Sequence, residues 1–233
     1  MRAHSITLLP ALIIGAQIAI AAPLPDGNAI VTGKAAVVDG DTIDVGSIRI
    51  RLHGIDTPER GQLCPDRIGG GTWRCGIRAT EHLASIADSK NVSCTIRDRD
   101  IYKRPVSVCT IDGKEINARM VRDGYAWAFV KYSKDYVADE ADARLARIGI
   151  WQSDQPPVPP WDYRAQRWQL EAQAAPRPGC PIKGNINNDG ERIYHPPWSH
   201  MYARTMVNEA KGERWFCDEG EAELAGWRAP SWR

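Results

Sequence analysis

The chain has 233 residues, enough for one full hydrophobic core and a smaller second unit, and it carries 30 basic and 29 acidic side chains. Residues 1–21 contain one arginine and no acid, so the rest of the chain has equal numbers of basic and acidic side chains. This balance excludes an extended basic surface for binding nucleic acid. Any phosphate contact must therefore come from a local cluster or from a metal.

The first segment has the pattern of an export signal. Arg2 precedes an apolar run without acids, and this run ends in the triplet AIA at residues 19–21. A basic start, an apolar stretch and an A-x-A site predict a secretory signal peptide over residues 1–21. The alternative is an uncleaved membrane anchor, although the run is near the lower length limit for a spanning helix. We therefore expect a secreted or periplasmic protein, with an irregular lead-in over residues 22–33.

Short strands with tight turns are predicted next, in KAAVVDGDTIDVGSIRIRLHGI. Asp-Gly and Gly-Ser pairs supply the turns, and an alternating segment follows. That alternation puts three aliphatic side chains on one face of a strand and three cationic ones on the other: Ile48, Ile50 and Leu52 against Arg49, Arg51 and His53.

The remaining elements predict a mixed domain followed by a smaller one. Helical spacing begins at Ile77, two strands follow in NVSCTIRDRD and RPVSVCTIDG, and INARMVRDG is a short helix with Asn117 as its cap and Gly124 as its terminator. VADEADARLARIG is an amphipathic helix. The Pro-rich segment QSDQPPVPPW and the helix after it indicate a linker. We expect a main domain over residues 34–151, a linker over 152–179 and a small aromatic-rich α+β module over 180–233.

Six cysteines suit an oxidising compartment, and none of them forms a C-x-x-C motif. Their spacing suggests three disulfides: Cys64 with Cys75, Cys94 with Cys109, and Cys180 with Cys217. Free thiols are the alternative for the second pair, and a zinc site made of Cys180, His195, His200 and Cys217 is the alternative for the third. For the module's aromatic residues, base stacking is conceivable, but a small aromatic core is the simpler interpretation.

Two acidic motifs suggest a site. Asp41 follows a glycine turn and Asp56 follows a strand, so both carboxylates could bind one hard divalent cation if these segments are neighbours. The alternative makes them turn residues. Arg51 and Arg104 stand at strand ends, where they could clamp a phosphate instead of facing solvent, and Glu59 could position or deprotonate a water molecule.

Five motifs resemble the staphylococcal thermonuclease family in order and spacing: VVDGDTIDV, RIRLHGIDTPE, RDIYKRPVSV, INARMVRDGYAWA and DARLARIGIW. The resemblance covers residues 34–151. It implies a five-stranded OB-type barrel with three helices, in an α+β fold. It also implies Ca²⁺-dependent cleavage of DNA and RNA without base readout, preferably in single-stranded or frayed substrates, leaving 3′-phosphate ends.

The resemblance also implies roles for individual residues. These are Asp41, Asp56 and the Thr57 carbonyl as Ca²⁺ ligands, Glu59 as general base or water-positioning group, Arg51 and Arg104 as phosphate clamps, and Tyr132 in the nucleotide pocket. The companion aromatic position carries Val130. Lys103 replaces a family glycine, which makes it a rival clamp to Arg104, and the loop after Glu59 carries two cysteines.

We therefore predict a secreted, monomeric, Ca²⁺-dependent nuclease. One alternative is a non-catalytic OB-fold module of the cell envelope that binds nucleic acid or protein. It predicts loss of the acids, which are present. Another alternative is an interaction protein whose activity lies in residues 152–233.

Overall fold

The computed structural model of the protein describes residues 29–67 and 70–230. Its strands are β1 (Ile30–Val37), β2 (Thr42–Val45), β3 (Ile48–Leu52), β4 (Ile55–Asp56), β5 (Cys64–Pro65), β6 (Thr72–Trp73), β7 (Asn91–Arg99), β8 (Pro105–Ile111), β9 (Lys114–Glu115), β10 (Trp127–Ala128), β11 (Ile182–Ile186), β12 (Arg192–His195) and β13 (Arg214–Phe216). Its α-helices are α1 (Cys75–Ala87), α2 (Ile116–Arg122), α3 (Val137–Leu145), α4 (Pro160–Ala174) and α5 (Glu219–Leu224). Short 3₁₀ turns lie at Gly149–Trp151, Tyr202–Arg204 and Glu209–Lys211.

Five strands close into the expected OB-type barrel. Antiparallel pairs join β3 to β2, β2 to β1, β1 to β7 and β7 to β8, and a parallel pair between β3 and β8 closes the ring. The predicted alternation on β3 is present, since Ile50 and Leu52 are buried while Arg51 is only half-buried. We call residues 29–151 the barrel region and residues 152–230 the C-terminal region.

Two details of the barrel region correct the sequence predictions. The segment 22–33 was expected to be irregular, but β1 begins at Ile30 because its backbone pairs with β7 as far as Thr95. Asn117 does not cap α2, because it lies inside the helix with its side chain buried. That side chain accepts a hydrogen bond from the Cys109 N–H and donates to the carbonyls of His53 and Ser107, tying α2 to β8 and to the turn after β3. The predicted signal peptide lies outside the described residues.

The C-terminal region has its own sheet, in the order β12–β11–β13. Its core is a small cluster of mostly aromatic and aliphatic side chains: Ile182, Tyr194, Phe216, Ala222 and Trp227. Asp218 caps α5 by accepting a hydrogen bond from the Glu221 N–H at 2.7 Å.

Helix α4 packs against the barrel instead of standing free as a spacer. The Trp161 ring stacks on Phe129 with ring centroids 5.2 Å apart, and it meets Trp127 edge-on at 6.4 Å. Just before the helix, the Gln62 side chain donates to the Val158 carbonyl at 2.7 Å. The segment expected to be a linker is therefore fixed to the barrel along its first turn.

Three disulfides join Cys64 to Cys75, Cys94 to Cys109 and Cys180 to Cys217. Cys94 and Cys109 face each other in the register of β7 and β8, as a cross-strand bridge requires. The third disulfide contradicts the zinc alternative, because its two sulfurs are bonded to each other. The disulfides are consistent with a protein outside the cytoplasm. Within residues 29–67 and 70–230, no helix has both the length and the apolar character needed to cross a bilayer.

Candidate active site

Gly40 allows the turn that carries Asp41 to pack closely against the turn that carries Thr57. A Cβ atom on Gly40 would lie 2.4 Å from the Thr57 hydroxyl oxygen, so only glycine permits this approach. The turn is closed by the Val38 N–H, which donates to the Thr42 carbonyl. As a result Asp41 and Thr57, which are distant in sequence, are both buried in the wall of the same pocket.

Arg51 connects the two carboxylates. It lies on β3 with neighbours on both sides, Thr42 on β2 and Val106 on β8, so its backbone position is fixed. Its Nη2 atom is 3.1 Å from Asp41 Oδ2 and 2.9 Å from Asp56 Oδ1. Because one nitrogen reaches both carboxylates, the structure brings Asp41 and Asp56 to a common point.

The backbone of Glu59 is fixed by hydrogen bonds to Gln62. Its N–H donates to the Gln62 side chain at 3.1 Å, and its carbonyl accepts from the Gln62 N–H at 2.7 Å. A Cβ on Gly76 would lie 1.7 Å from the Glu59 carbonyl oxygen, so the first turn of α1 touches this loop directly. The Cys64–Cys75 disulfide closes the same loop, which is therefore tightly restrained beside the carboxylate.

Arg164 on α4 is the site residue that the sequence analysis missed. Its guanidinium donates to both oxygens of Asp56, at 3.1 and 2.7 Å, and to Glu59 Oε1 at 2.6 Å. A detectable signal was present in the sequence: Trp161, Arg164 and Trp168 recur at helical spacing, which puts an arginine on the aromatic face of α4.

Burial and charge act against each other in this cluster. Burial raises the pKa of Asp41 and Asp56, and Arg51 opposes the rise in both. Burial likewise raises the pKa of Glu59 to about 8, against the ion pair and hydrogen bond from Arg164. Burial outweighs the neighbouring arginines at all three acids, so further positive charge at the site would favour their ionised forms.

The second expected clamp, Arg104, lines the same pocket and is held by Asp100. Its Nε atom donates to Asp100 Oδ2 at 2.7 Å, while Asp100 Oδ1 accepts the backbone N–H groups of Tyr102 and Arg104. Lys103 takes a left-handed conformation with φ +63°, is exposed, and does not line the pocket. The local geometry thus favours Arg104 over Lys103 as the group facing the site.

The pocket has a volume of about 440 Å³ and receives walls from both regions of the molecule. Tyr132, which is 62% exposed, stands at its rim with its ring 4.9 Å from that of Phe129. Val130 is exposed and outside the lining. Trp198 and Glu219 of the C-terminal region line the pocket as well. The aromatic residues of this region therefore serve more than one purpose, since Tyr194, Phe216 and Trp227 form a core while Trp198 lines the pocket.

The oxygen ligands available here suit a hard divalent cation. The two buried carboxylates, with nearby backbone carbonyls and water, are the donor type that Ca²⁺ and Mg²⁺ prefer. A cation would also replace the charge compensation that Arg51 and Arg164 now supply. Within the described chain no group of three or more His, Cys, Asp or Glu side chains is arranged to hold a metal ion, so carbonyls or water must complete any site. The set fits, although Asp56 would have to exchange contacts with Arg164.

Asp41, Glu59 and several arginines line a pocket on an OB-type barrel, with Asp56 fully buried behind them, and this combination is typical of the phosphodiesterase class. The family described as "Staphylococcal nuclease homologue" matches residues 49–153. The chain belongs to the staphylococcal nuclease family, whose members are generally metal-dependent, and this membership supports nuclease activity.

Three relatives illustrate the similarity. An "Uncharacterized endonuclease" of Escherichia coli O157:H7 is 38% identical over 138 residues, covering 56% of this chain and 82% of that protein. The "Succinoglycan biosynthesis protein ExoI" of Rhizobium meliloti (strain 1021) is 33% identical over 145 residues, covering 60% and 75%. A "Micrococcal nuclease" of Shigella flexneri is 35% identical over 145 residues, covering 55% and 76%.

Proposed function

We propose that the protein is an exported, Ca²⁺-dependent endonuclease that hydrolyses DNA and RNA without base specificity and leaves 3′-phosphate ends. The observation that carries this proposal is the convergence of Asp41 and Asp56 on one nitrogen of Arg51. Two buried carboxylates beside a phosphate-binding type of side chain suit a reaction in which negative charge grows on phosphorus oxygens.

The metal would be held by Asp41, Asp56 and the Thr57 carbonyl, and it would supply charge compensation for the phosphate. Glu59 accepts a proton from the attacking water, or orients that water without taking the proton. The water oxygen bonds to phosphorus, the bond from phosphorus to the 5′ oxygen breaks, that oxygen leaves as a hydroxyl after taking a proton from solvent, and the phosphate stays on the 3′ oxygen. Arg51 and Arg104 donate hydrogen bonds to the phosphate oxygens as their charge increases.

Substrate binding depends on the rim of the pocket. Tyr132 and Trp198 offer ring faces on which any base stacks, which agrees with cleavage that ignores sequence. A pocket of this size, walled on both sides, suits a single or frayed strand better than an intact duplex. We propose that Lys103, being exposed, contributes only to the charge around the entrance, and that the protein acts as a monomer.

The test is cleavage of labelled DNA and RNA by the purified protein, with Ca²⁺, with Mg²⁺ or with chelator. We expect cleavage with Ca²⁺ and none with chelator. Treatment of the products with a 3′-phosphatase should change their electrophoretic mobility. Asp56→Asn should abolish activity, whereas Asp44→Asn is the control, because Asp44 pairs with Arg49 on the same hairpin outside the pocket. Full activity in chelator would overturn the metal assignment, and binding without cleavage would favour the non-catalytic module.

A further inference from the structure

A second cleft lies between the barrel region and the C-terminal region, next to Arg60, the residue that follows Glu59. Its volume is about 380 Å³. The barrel region supplies Arg60 and Arg74 to its lining, and the C-terminal region supplies Arg167, His200 and Arg204. Among the described residues that line the cleft, none is an aspartate or a glutamate.

These cationic side chains are poorly compensated by the protein. Arg167 is paired with Glu171 at 2.8 Å. In the part of the chain that the structure describes, no carboxylate lies within 4.0 Å of the guanidinium groups of Arg60, Arg74 or Arg204. The buried Nε of Arg60 also lacks a hydrogen-bond partner among these residues. Three guanidinium groups are therefore available to an anion.

The groups in the cleft also repel one another. Burial lowers the pKa of Arg60, against the more distant charges of Asp39 and Glu81. Burial lowers the pKa of His200 too, and Arg60 and Arg204 add to that shift. Like charges held together in a partly enclosed space create a positive potential that an anion would relieve.

The cleft adjoins the active-site pocket, because Arg60 lines both. A smaller depression of about 90 Å³ shares Glu59 and Trp198 with the pocket and His200 with the cleft, and Asp39 also lines it. A chain of phosphates leaving the pocket past Glu59 would thus meet the arginines of the cleft, with ring faces from Trp198 and Tyr163 along the way.

We propose that this cleft is a phosphate subsite that holds the sugar–phosphate backbone of a nucleic-acid strand beyond the bond being cleaved. This inference rests on the proposed function and gives the C-terminal region a share in substrate binding. It accounts for the binding of a nucleic-acid strand by a chain whose overall charge is close to zero.

The test uses the full-length chain with Arg74→Gln and Arg204→Gln combined. Both residues are exposed, so the fold should tolerate the change. The control combines Arg97→Gln and Arg192→Gln, which remove the same charge from exposed positions outside the cleft. Binding of a fluorescent single strand of about 12 nucleotides is followed by anisotropy in chelator, and turnover is measured separately on that strand and on a dinucleotide.

We expect the cleft variant to bind the strand roughly 10- to 100-fold more weakly, with a salt dependence shallower by about 1.4 in slope for two lost phosphate contacts. Its kcat/KM on the dinucleotide should match that of wild type, and the control should behave as wild type throughout. Unchanged strand binding in the cleft variant would overturn the proposal, as would an equal loss on the dinucleotide.

Two further outcomes separate the possible ligands and functions. Displacement of the strand from wild type by micromolar inorganic phosphate would identify a site for a small free anion and overturn the assignment to a strand. If wild type cleaves nothing yet strand binding still depends on Arg74 and Arg204, the subsite stands and the proposed nuclease function fails.

Discussion

The barrel region and the C-terminal region meet at Asp56, and each supplies it with one arginine. Arg51 comes from a strand that is hydrogen-bonded on both sides, whereas Arg164 comes from a helix held by the stacking of Trp161 on Phe129. The first contact is part of a closed barrel, and the second depends on one region docking on another. Under the proposed function, the barrel would supply most of the reacting groups and the C-terminal region would contribute to substrate binding.

The largest effect should come from Glu59, whose backbone is fixed by the barrel region and whose carboxylate is paired with Arg164 of the C-terminal region. Glu59→Gln keeps the size of the side chain but removes the proton acceptor, so kcat should fall by ~10²–10⁴-fold with little change in substrate binding. Glu81→Gln on the exposed face of α1 is the control. Normal turnover in a folded Glu59→Gln protein would remove this residue from the mechanism.

Arg51→Lys should lower the rate by ~10²–10³-fold, since an ammonium group keeps the charge but loses the planar fork that binds a phosphate. Arg49→Lys is a matched control on the same strand, because Arg49 pairs with Asp44 and lies outside the active-site pocket. Steady-state kinetics on a single-stranded substrate measures both. Equal rates in the two variants would show that position 51 has no special role.

The C-terminal region should be the more acid-labile of the two. Burial lowers the pKa of His195 from 6.5 to about 4, with His200 and Lys183 adding to the shift, and its ring contacts Asn185 Oδ1 at 3.0 Å. The unfolded chain protonates this histidine near pH 6.5 and the folded chain only near pH 4, so unfolding takes up a proton between these values. The free energy of unfolding should therefore decrease as the pH is lowered from about 6.5 to about 4, by at most about 3 kcal/mol.

Hydrogen exchange of the β11 and β12 amides, compared with those of β7 and β8, measures this difference between regions. His195→Gln should flatten the pH dependence of exchange in the C-terminal sheet. If the barrel strands lose protection at the same pH and to the same extent, the two regions unfold together and the contrast does not hold.

A smaller effect is expected at Arg164, through competition for Asp56. Arg164→Gln removes a cation from buried Asp56 and partly exposed Glu59, so Ca²⁺ should bind about 10-fold more tightly, within the ~5- to 150-fold range of typical coupling. The same variant should melt at lower temperature in chelator and regain stability with Ca²⁺. Calorimetric titration measures the affinity, with the exposed Arg177→Gln as control. Weaker Ca²⁺ binding would show that Arg164 supports the metal instead.

The sequence was most informative where local patterns determine geometry. The alternation in β3 predicted the face on which Arg51 lies, and the acidic turns predicted the pocket walls. The prediction for Asn117 was wrong because a polar residue near a helix start usually caps the helix, whereas here three hydrogen bonds to β8 and to the turn after β3 hold the side chain in the interior. Arg164 was missed because its role depends on where α4 docks, and that docking depends on aromatic contacts between residues far apart in sequence.

Gly40 and Gly76 limit the substitutions that this protein can accept during evolution. Neither glycine offers a functional group, yet the smallest possible side chain would strike Thr57 at one position and the Glu59 backbone at the other. Gly46, by contrast, has open space around it, although its φ of +62° still favours glycine. The geometry of the site therefore depends on two residues outside the pocket lining, and variants that lose either glycine should retain the acids while losing their alignment.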